Sequence, residues 1–250
     1  MQHSHPRSSP ENQDSNSDSG TSDSSPSNQP LHPNGETSPV ENDGMEFSLE
    51  SPRNRFYDDS EENRFRAALH STIPIELEIG SGKGLFLSRA AQQTPDRFFI
   101  GLELATKYAK EAQAKLEKLG VSNACFIACD AVALMQQDVP SESLIAVHVY
   151  FPDPWWKSKH KKRRVLSDET IRNIERALLP GGNLHFWTDV LDYYEEAVAR
   201  ICELTQLRGP FYVPEPEATH SMDYRTHFER RTRLNGLPVY RARFDKATRE

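Results

Sequence analysis

Hydrophobic and polar positions follow two alternating patterns along the chain from Ile75 onward. Short unbroken apolar runs, typical of buried strands, are separated by longer segments whose apolar residues recur every three or four positions, as in helices. The predicted strands cover residues 75–79, 97–104, 124–128, 143–151 and 183–188. Because continuous apolar strands alternate with helices, the pattern predicts an α/β fold with a mostly parallel central sheet, flanked by helices on both faces.

Four helices are predicted between and after these strands, each from the spacing of its apolar residues and from residues that start or stop helices. The first covers residues 83–93. The second ends at Gly120 and has on one face Tyr108, Ala109, Ala112, Leu116 and Leu119. The third is capped by Ser167 or Asp168, carries Ile171, Ile174 and Leu178, and stops at Pro180-Gly181-Gly182. The fourth places inward Leu191, Tyr194, Val198 and Ile201.

The N-terminal segment lacks this patterning. It is dominated by Ser, Pro, Asn, Asp and Gly, and such a composition buries too little apolar surface to offset the entropy of ordering the chain. We therefore predict a disordered acidic tail over residues 1–45 and a single domain over residues 46–250.

Net charge divides in the same way. Of the 30 basic and 37 acidic residues, one basic and nine acidic residues lie in the first 50 positions, which leaves 29 and 28 for the remainder. The acidic balance is thus a property of the tail, and the folded part is nearly neutral.

Cysteine usage and hydropathy favour a cytoplasmic protein. The chain has three cysteines, Cys125, Cys129 and Cys202. Their odd number indicates reduced thiols, and their spacing predicts no metal site. No apolar run approaches the length of a membrane span, and the N-terminus has no signal-peptide pattern. The oligomeric state, monomer or homodimer, stays open.

An acidic residue stands at or just after the end of every predicted strand. In parallel sheets, ligands bind outside the carboxyl ends of the strands, so these side chains are candidates for a shared site. In chain order they are Glu78, Glu103, Asp130, Asp153 and Asp189. A single acid in this position usually caps a helix, but five in five strands indicate a function.

The glycine turn after the first strand, LEIGSGKG over residues 77–84, favours one class of cofactor. A phosphate-binding loop requires a different spacing and Ser or Thr after Lys83. A dinucleotide site is disfavoured, because its third glycine would fall one residue later and Glu78 would repel a pyrophosphate. A carboxylate in the turn of Gly80 and Gly82 suits the ammonium and sulfonium groups of S-adenosylmethionine. Glu103 would then accept from the ribose hydroxyls and Asp130 from the adenine amino group.

The segment FPDPWWKSKHKKRR, residues 151–164, combines a carboxylate, two tryptophans and a dense basic run. Prolines on both sides of Asp153 restrict its backbone, and no His or Cys stands at metal-ligand spacing around it. Cations beside indole rings suit phosphate contacts and base stacking, which predicts a nucleic-acid substrate. We expect one of Trp155 and Trp156 to pack in the core instead.

Over residues 73–245 the chain resembles the tRNA (guanine-N7-)-methyltransferase family. The motifs that carry this resemblance are, in order, LEIGSGKG, GLEL, CDA, FPDPWWKSKHKKRR, WTD and YRTHFERR. The resemblance implies a Rossmann-like class I methyltransferase fold, S-adenosylmethionine as cofactor and methylation of the variable-loop guanine, position 46, of tRNA. It implies cofactor contacts for Glu78, Gly80, Gly82, Glu103, Asp130 and Asp153, and catalysis by Asp153. It implies substrate contacts for Lys157, Asp189, Thr226, His227, Phe228 and Glu229, and RNA contacts for Lys159, His160, Lys161, Lys162, Arg163 and Arg164.

Guanine chemistry agrees with this implication. N7 carries an in-plane lone pair and no proton, so attack on the methyl group needs positioning and charge stabilisation rather than a base. We hypothesise that Asp153, with Asp189 or Glu229, holds the N1–H and N2–H₂ edge of guanine. Three other interpretations stay open: a methyltransferase of protein or small-molecule amines, a non-catalytic RNA-binding subunit, and a nicotinamide-dependent oxidoreductase.

Overall fold

The computed structural model describes residues 59–155, 164–215, 217–220 and 223–249. The predicted tail lies outside these ranges, so the division at residue 45 stays a prediction. The helices are α1 Asp59–Leu69, α2 Leu85–Gln93, α3 Thr106–Lys118, α4 Ala131–Gln137, α5 Asp168–Ala177, α6 Leu191–Leu204 and α7 His227–Leu234. The strands are β1 Ile75–Ile79, β2 Phe98–Glu103, β3 Ala124–Ala128, β4 Leu144–Tyr150, β5 Leu178–Thr188, β6 Arg208–Tyr212 and β7 Tyr240–Asp245.

The seven strands in the described part of the chain form one sheet in the order β3-β2-β1-β4-β5-β7-β6. The first five strands run parallel, and β7 is inserted antiparallel between β5 and β6. The prediction of a mostly parallel sheet is therefore confirmed. Because β1 pairs with both β2 and β4, the strand order reverses beside β1, and a crevice opens there at the carboxyl ends of the strands.

Helices cover both faces of the sheet and form two apolar cores. Successive strand residues point to opposite faces, so Phe99 packs in one core and Ile100 in the other. The larger core receives side chains from α1, α4, α5 and α6, and the smaller one from α2 and α3. Among the described residues, no helix is long and apolar enough to cross a membrane.

The five predicted strands are all present, but several helix details differ. In α3, Ala109, Ala112 and Leu116 of the predicted apolar face are buried, whereas Tyr108 and Leu119 are exposed.

In α6 the fully buried residues are Tyr193, Ala197 and Ile201, whereas Leu191 is exposed. Of the other predicted inward residues, Tyr194 and Val198 are partly buried against the larger core, so the prediction is wrong only for Leu191 at the start of the helix.

The third predicted helix also ends earlier than its stop signal. Helix α5 is capped by the Ser167 side chain, as expected, but it finishes at Ala177 and the chain enters β5 directly. Pro180-Gly181-Gly182 then forms an irregularity inside β5, where the register with β4 shifts between Leu144 and Ala146.

Gly84 has a packing role that the sequence pattern does not reveal. It is the N-cap of α2 with φ 66°, and a Cβ added there would lie 2.3 Å from the Cζ atom of Phe126. We expect Gly84→Ala to lower the free energy of unfolding by about 2–4 kcal/mol, from backbone strain plus overpacking. Urea unfolding measures this change. Gly120→Ala is the matched control, because Gly120 has the same φ of 66° with open space around its Cα; an equal loss in both variants would contradict the packing role.

Candidate active site

A cavity of about 420 Å³ lies at the reversal point of the sheet, beside the ends of β1 and β4. Its walls come from the glycine turn, from the end of β4 and from the start of α7, although α7 is some 150 positions away from the turn in the chain. Six residues predicted from sequence line this one cavity: Glu78, Gly80, Gly82, Thr226, His227 and Phe228.

The glycine turn presents its backbone to the cavity. Gly80 and Gly82 have φ values of 78° and 54°, and a Cβ at either position would meet nothing within 4 Å. The Gly80 and Ser81 N–H groups donate to the carbonyl of Leu102 on β2, at 2.8 and 3.0 Å. The turn is thus anchored to the neighbouring strand on one side and open to a ligand on the other.

Glu78 is a buried carboxylate that lines the cavity. Its side chain is 3% exposed, and within the described part of the chain no group donates to its Oε2 atom. Burial raises the pKa of Glu78 well above its usual value; the charge of Arg225 opposes this rise and that of Glu103 adds to it. An orphaned buried acceptor of this kind fits a ligand that brings a cationic donor, and it would repel a phosphate.

Glu103 supports the turn directly. One carboxylate oxygen accepts from the N–H of Gly82 and the other from the N–H of Ala105, each at 2.8 Å. The sequence predicts this acid as a ribose ligand, and the structure adds that it fixes the conformation of the glycine turn.

Asp130 is the N-cap of α4. Its Oδ1 atom accepts from the N–H groups of Val132 and Ala133, and the residue is exposed at the end of β3. It does not line the 420 Å³ cavity, so its assignment to adenine stays a prediction.

Asp153 and Asp189 follow neighbouring strands and are both exposed. Asp153 lies three residues beyond β4, in a non-helical segment in which Phe151 and Trp155 have positive φ values of 50° and 43°. Asp189 directly follows β5, and its Oδ2 atom accepts from the Thr232 hydroxyl of α7 at 3.3 Å. Neither acid lines the cavity, so their predicted contact with guanine remains untested.

Most of the basic run lies outside the described residues. This applies to Lys157, Lys159, His160, Lys161, Lys162 and Arg163, and to Trp156. Trp155 is partly buried. Its burial does not show whether one of the two tryptophans packs in the core, so that expectation stays a prediction.

Arg164, the last residue of the run, differs from its predicted RNA-contacting role. Only 9% of the residue is exposed. Its guanidinium donates to the carbonyl of Pro154 at 2.7 Å, pairs with Glu196 at 2.8 Å and lies over the ring of Tyr193 at 4.5 Å. All three partners belong to the protein itself. The guanidinium therefore links the end of the basic segment to Pro154, which precedes it.

The α7 residues also divide between two roles. Thr226 caps the helix by accepting from the N–H of Glu229, while His227 and Phe228 are exposed at the cavity. Glu229, predicted as a substrate contact, is fully buried, and its carboxylate accepts from the Arg225 N–H at 2.6 Å and from Arg241 at 3.0 Å. Its side chain therefore fixes the start of α7 and does not reach the cavity.

Sequence reasoning missed Phe86 and Tyr150, which line the cavity, and Arg225, which contacts both of them. The Arg225 guanidinium lies 5.0 Å from the Phe86 ring centre and donates to the Tyr150 hydroxyl at 2.7 Å. The Thr-x-x-Glu spacing of Thr226 and Glu229 is a recognisable helix-cap signal, but nothing in the sequence points to Arg225.

Comparisons with known proteins agree with this geometry. A family model described as putative methyltransferase matches residues 72–242. The tRNA (guanine-N(7)-)-methyltransferase of Rhodopirellula baltica is 48% identical over 179 residues, which is 69% of this chain and 66% of that protein. The protein of the same name from Alcanivorax borkumensis is 37% identical over 177 residues, 69% of this chain and 72% of that protein. The chain thus spans slightly less than two thirds of the first relative.

Among solved structures, the 16S rRNA methyltransferase KamB superposes with a TM-score of 0.54 at 21% identity, covering 76% of this chain and 94% of that one. At this identity the likeness concerns the fold. The fold, the glycine turn and the buried acid together define a class I methyltransferase that uses S-adenosylmethionine. From the family model and the sequence relatives, the chain belongs to the tRNA (guanine-N(7)-)-methyltransferase family.

Proposed function

We propose that this protein transfers the methyl group of S-adenosylmethionine to N7 of the guanine at position 46, in the variable loop of tRNA. The observation that carries the proposal is the shared cavity, where the acidic glycine turn meets Thr226, His227 and Phe228. The names of the sequence relatives support the same reaction. Such a substrate would place the protein in the cytoplasm.

The cofactor half of the cavity would hold S-adenosylmethionine mainly through carboxylates. Glu78 would accept from the ammonium, and the open backbone of Gly80 and Gly82 would lie against the amino-acid moiety. Glu103, already fixed beside the turn, has lone pairs left for the ribose hydroxyls. Asp130 would accept from the adenine amino group at the end of β3. When bound, the cofactor supplies an electrophilic methyl group on a cationic sulfur.

The substrate half would orient guanine and stabilise the charge that moves onto it. Asp153 and Asp189 follow β4 and β5, and they would accept from N1–H and N2–H₂ of the base. Two carboxylates beside the purine favour the cationic product, and no side chain needs to remove a proton from N7. Adenine has an acceptor at N1 and no 2-amino group, so the same acids would disfavour it. Because Glu229 is buried, it is not part of this proposed contact.

The basic residues Lys157, Lys159, Lys161, Lys162 and Arg163, with His160, would contact tRNA phosphates next to the target base. In this proposal Arg164 serves as the anchor of the segment, because its guanidinium is bound to Pro154 and Glu196.

The test is nucleoside analysis of two tRNA transcripts that differ only at position 46, one with guanine and one with adenine. Each is incubated with the full-length protein and S-adenosylmethionine carrying a labelled methyl group. We expect one 7-methylguanosine per guanine-46 transcript and none in the adenine-46 transcript. Equal 7-methylguanosine in both would overturn the position, and no 7-methylguanosine in either would overturn the reaction.

A further inference from the structure

A chain of polar side chains runs beneath the cofactor cavity, across β1 and β4. Tyr150 contacts the Nδ1 atom of His148 at 2.8 Å, and the Nε2 atom of His148 contacts a carboxylate oxygen of Glu76 at 2.8 Å. The other oxygen of Glu76 accepts from Arg97, and the Tyr150 hydroxyl accepts from Arg225. Glu76, His148 and Tyr150 are all buried.

The direction of every hydrogen bond in this chain is fixed. Burial alone would raise the pKa of Glu76, but its bonds to His148 and Arg97 hold it at about 2, so Glu76 only accepts. The Nε2–H of His148 must therefore donate to Glu76, and its Nδ1 atom must accept from Tyr150 in the neutral ring, whose pKa is lowered by burial. The lone pairs of the Tyr150 oxygen are thus left for Arg225.

Arg225 is held at that point by four further contacts. Its guanidinium carbon lies 5.0 Å from the ring centre of Phe86, 5.7 Å from that of Tyr150 and 5.1 Å from that of Trp187. Its backbone N–H donates to the buried carboxylate of Glu229 at 2.6 Å. Both ends of the residue are thus attached to rigid parts of the molecule.

Two features of the site depend on where Arg225 stands. The next three residues, Thr226, His227 and Phe228, line the cavity, so the anchored arginine sets the position of this wall. The same guanidinium acts electrostatically on Glu78, where it opposes the effect of burial on the carboxylate. Arg225 is therefore linked to both the substrate wall and the cofactor acid.

We propose that Arg225 is a positioning residue for methyl transfer, which fixes the Thr226–Phe228 wall of the cavity for the substrate. The inference rests on the proposed function for the identity of that substrate. The electrostatic effect of Arg225 on Glu78 is measured separately, without tRNA.

The pH dependence of cofactor affinity reports the effect of Arg225 on Glu78. Besides Arg225, the charged or titratable groups around Glu78 are Glu103 beside the turn, Glu76 on β1, His148 and Tyr150 on β4, and Lys83 and His227 on the cavity walls. S-adenosylmethionine should bind more tightly as the pH rises through the pKa of Glu78, because the bound ammonium favours the carboxylate. Loss of the Arg225 charge should move this inflection to higher pH.

The experiment compares Arg225→Met, Arg225→Lys and Tyr150→Phe in the full chain, with Arg172→Met on the exposed side of α5 as the control. Calorimetry gives the S-adenosylmethionine affinity against pH, and steady-state kinetics give kcat/KM for tRNA at a pH above the inflection. For Arg225→Met we expect the inflection at higher pH and a kcat/KM for tRNA lower by about tenfold or more, since small misplacements of a substrate wall are costly.

The other variants separate positioning from folding. Arg225→Lys should restore the wild-type pH inflection, whereas Tyr150→Phe should leave the inflection in place and lower only the rate with tRNA. A variant that merely folds poorly would lose active protein without moving the inflection. If Arg225→Met matched Arg172→Met in both measurements, or if lysine failed to restore the inflection, the inference would be overturned. Failure of the proposed function would look different, because the wild-type protein itself would then not methylate tRNA.

Discussion

Replacing Glu78 with glutamine should weaken S-adenosylmethionine binding by about 10- to 100-fold at neutral pH. The buried carboxylate has an oxygen with no donor among the described residues, and a hydrogen bond to a charged group contributes about 1.5–3 kcal/mol. Glutamine keeps the shape of the side chain and removes the charge that would pair with the ammonium. Calorimetric titration with S-adenosylmethionine measures the change.

The same substitution should leave the ligand-free protein as stable as before, or more stable. A group whose pKa is raised in the folded state disfavours folding at pH values above its ordinary pKa, since the buried group resists ionisation. Glutamine removes that cost, so the urea midpoint of Glu78→Gln should equal or exceed that of the wild type. Weak binding together with a lowered midpoint would instead indicate a folding defect and contradict the assigned role.

Proton release gives an independent reading of the same side chain. If the bound ammonium lowers the pKa of Glu78, binding must release protons and become tighter as the pH rises through the pKa of the free protein. Titrations in buffers of different ionisation enthalpy should show this release in the wild type. The Glu78→Gln variant should retain only the contribution of the cofactor's own amino group.

Changing Asp153 to asparagine should lower kcat with tRNA by about 100-fold or more while S-adenosylmethionine still binds. The proposed role of Asp153 is to accept from guanine and to stabilise the positive charge that forms on the purine, and such preorganised groups contribute about 10²–10³ in rate. Single-turnover methylation of guanine-46 tRNA measures the chemical step. Since Asp153 is exposed, the substitution should not alter the stability of the fold.

Asp192→Asn is the matched control for this prediction. Asp192 is an exposed acid in the first turn of α6, shortly after β5. Its replacement by asparagine removes the same charge at the same edge of the sheet. It should methylate at the wild-type rate. Full turnover by Asp153→Asn, or an equal loss in Asp192→Asn, would show that position 153 has no specific role.

The strands could be predicted from sequence because the parallel sheet is buried on both faces. Strands such as IELEI and ACFIA are therefore uninterrupted by surface positions, and their limits match β1 and β3. The convergence of the acids followed from topology, since parallel strands end at one edge. The start of α6 was less accessible, because Leu191 fits the apolar period of the helix but is exposed in the structure.

Side-chain orientation was the part of the site that sequence could not determine. Arg164 belongs to a run of cations, and its guanidinium turns inward to Pro154 and Glu196. The resemblance assigns Glu229 to a substrate-contacting motif. In the structure its carboxylate is buried and accepts from the guanidinium of Arg241 on β7. Both outcomes depend on neighbours distant in the chain. Arg225 escaped prediction for the same reason, because its acceptor lies 75 positions earlier in β4.

The bond from Arg164 to Pro154 also joins two residues that are ten positions apart in the chain, since the guanidinium and the carbonyl lie 2.7 Å from each other. The same guanidinium pairs with Glu196 of α6 at 2.8 Å, so this contact fastens the chain next to Asp153 to the folded domain. In the proposed function, a substitution that removes the Arg164 guanidinium would therefore disturb the surroundings of Asp153 as well as the basic segment.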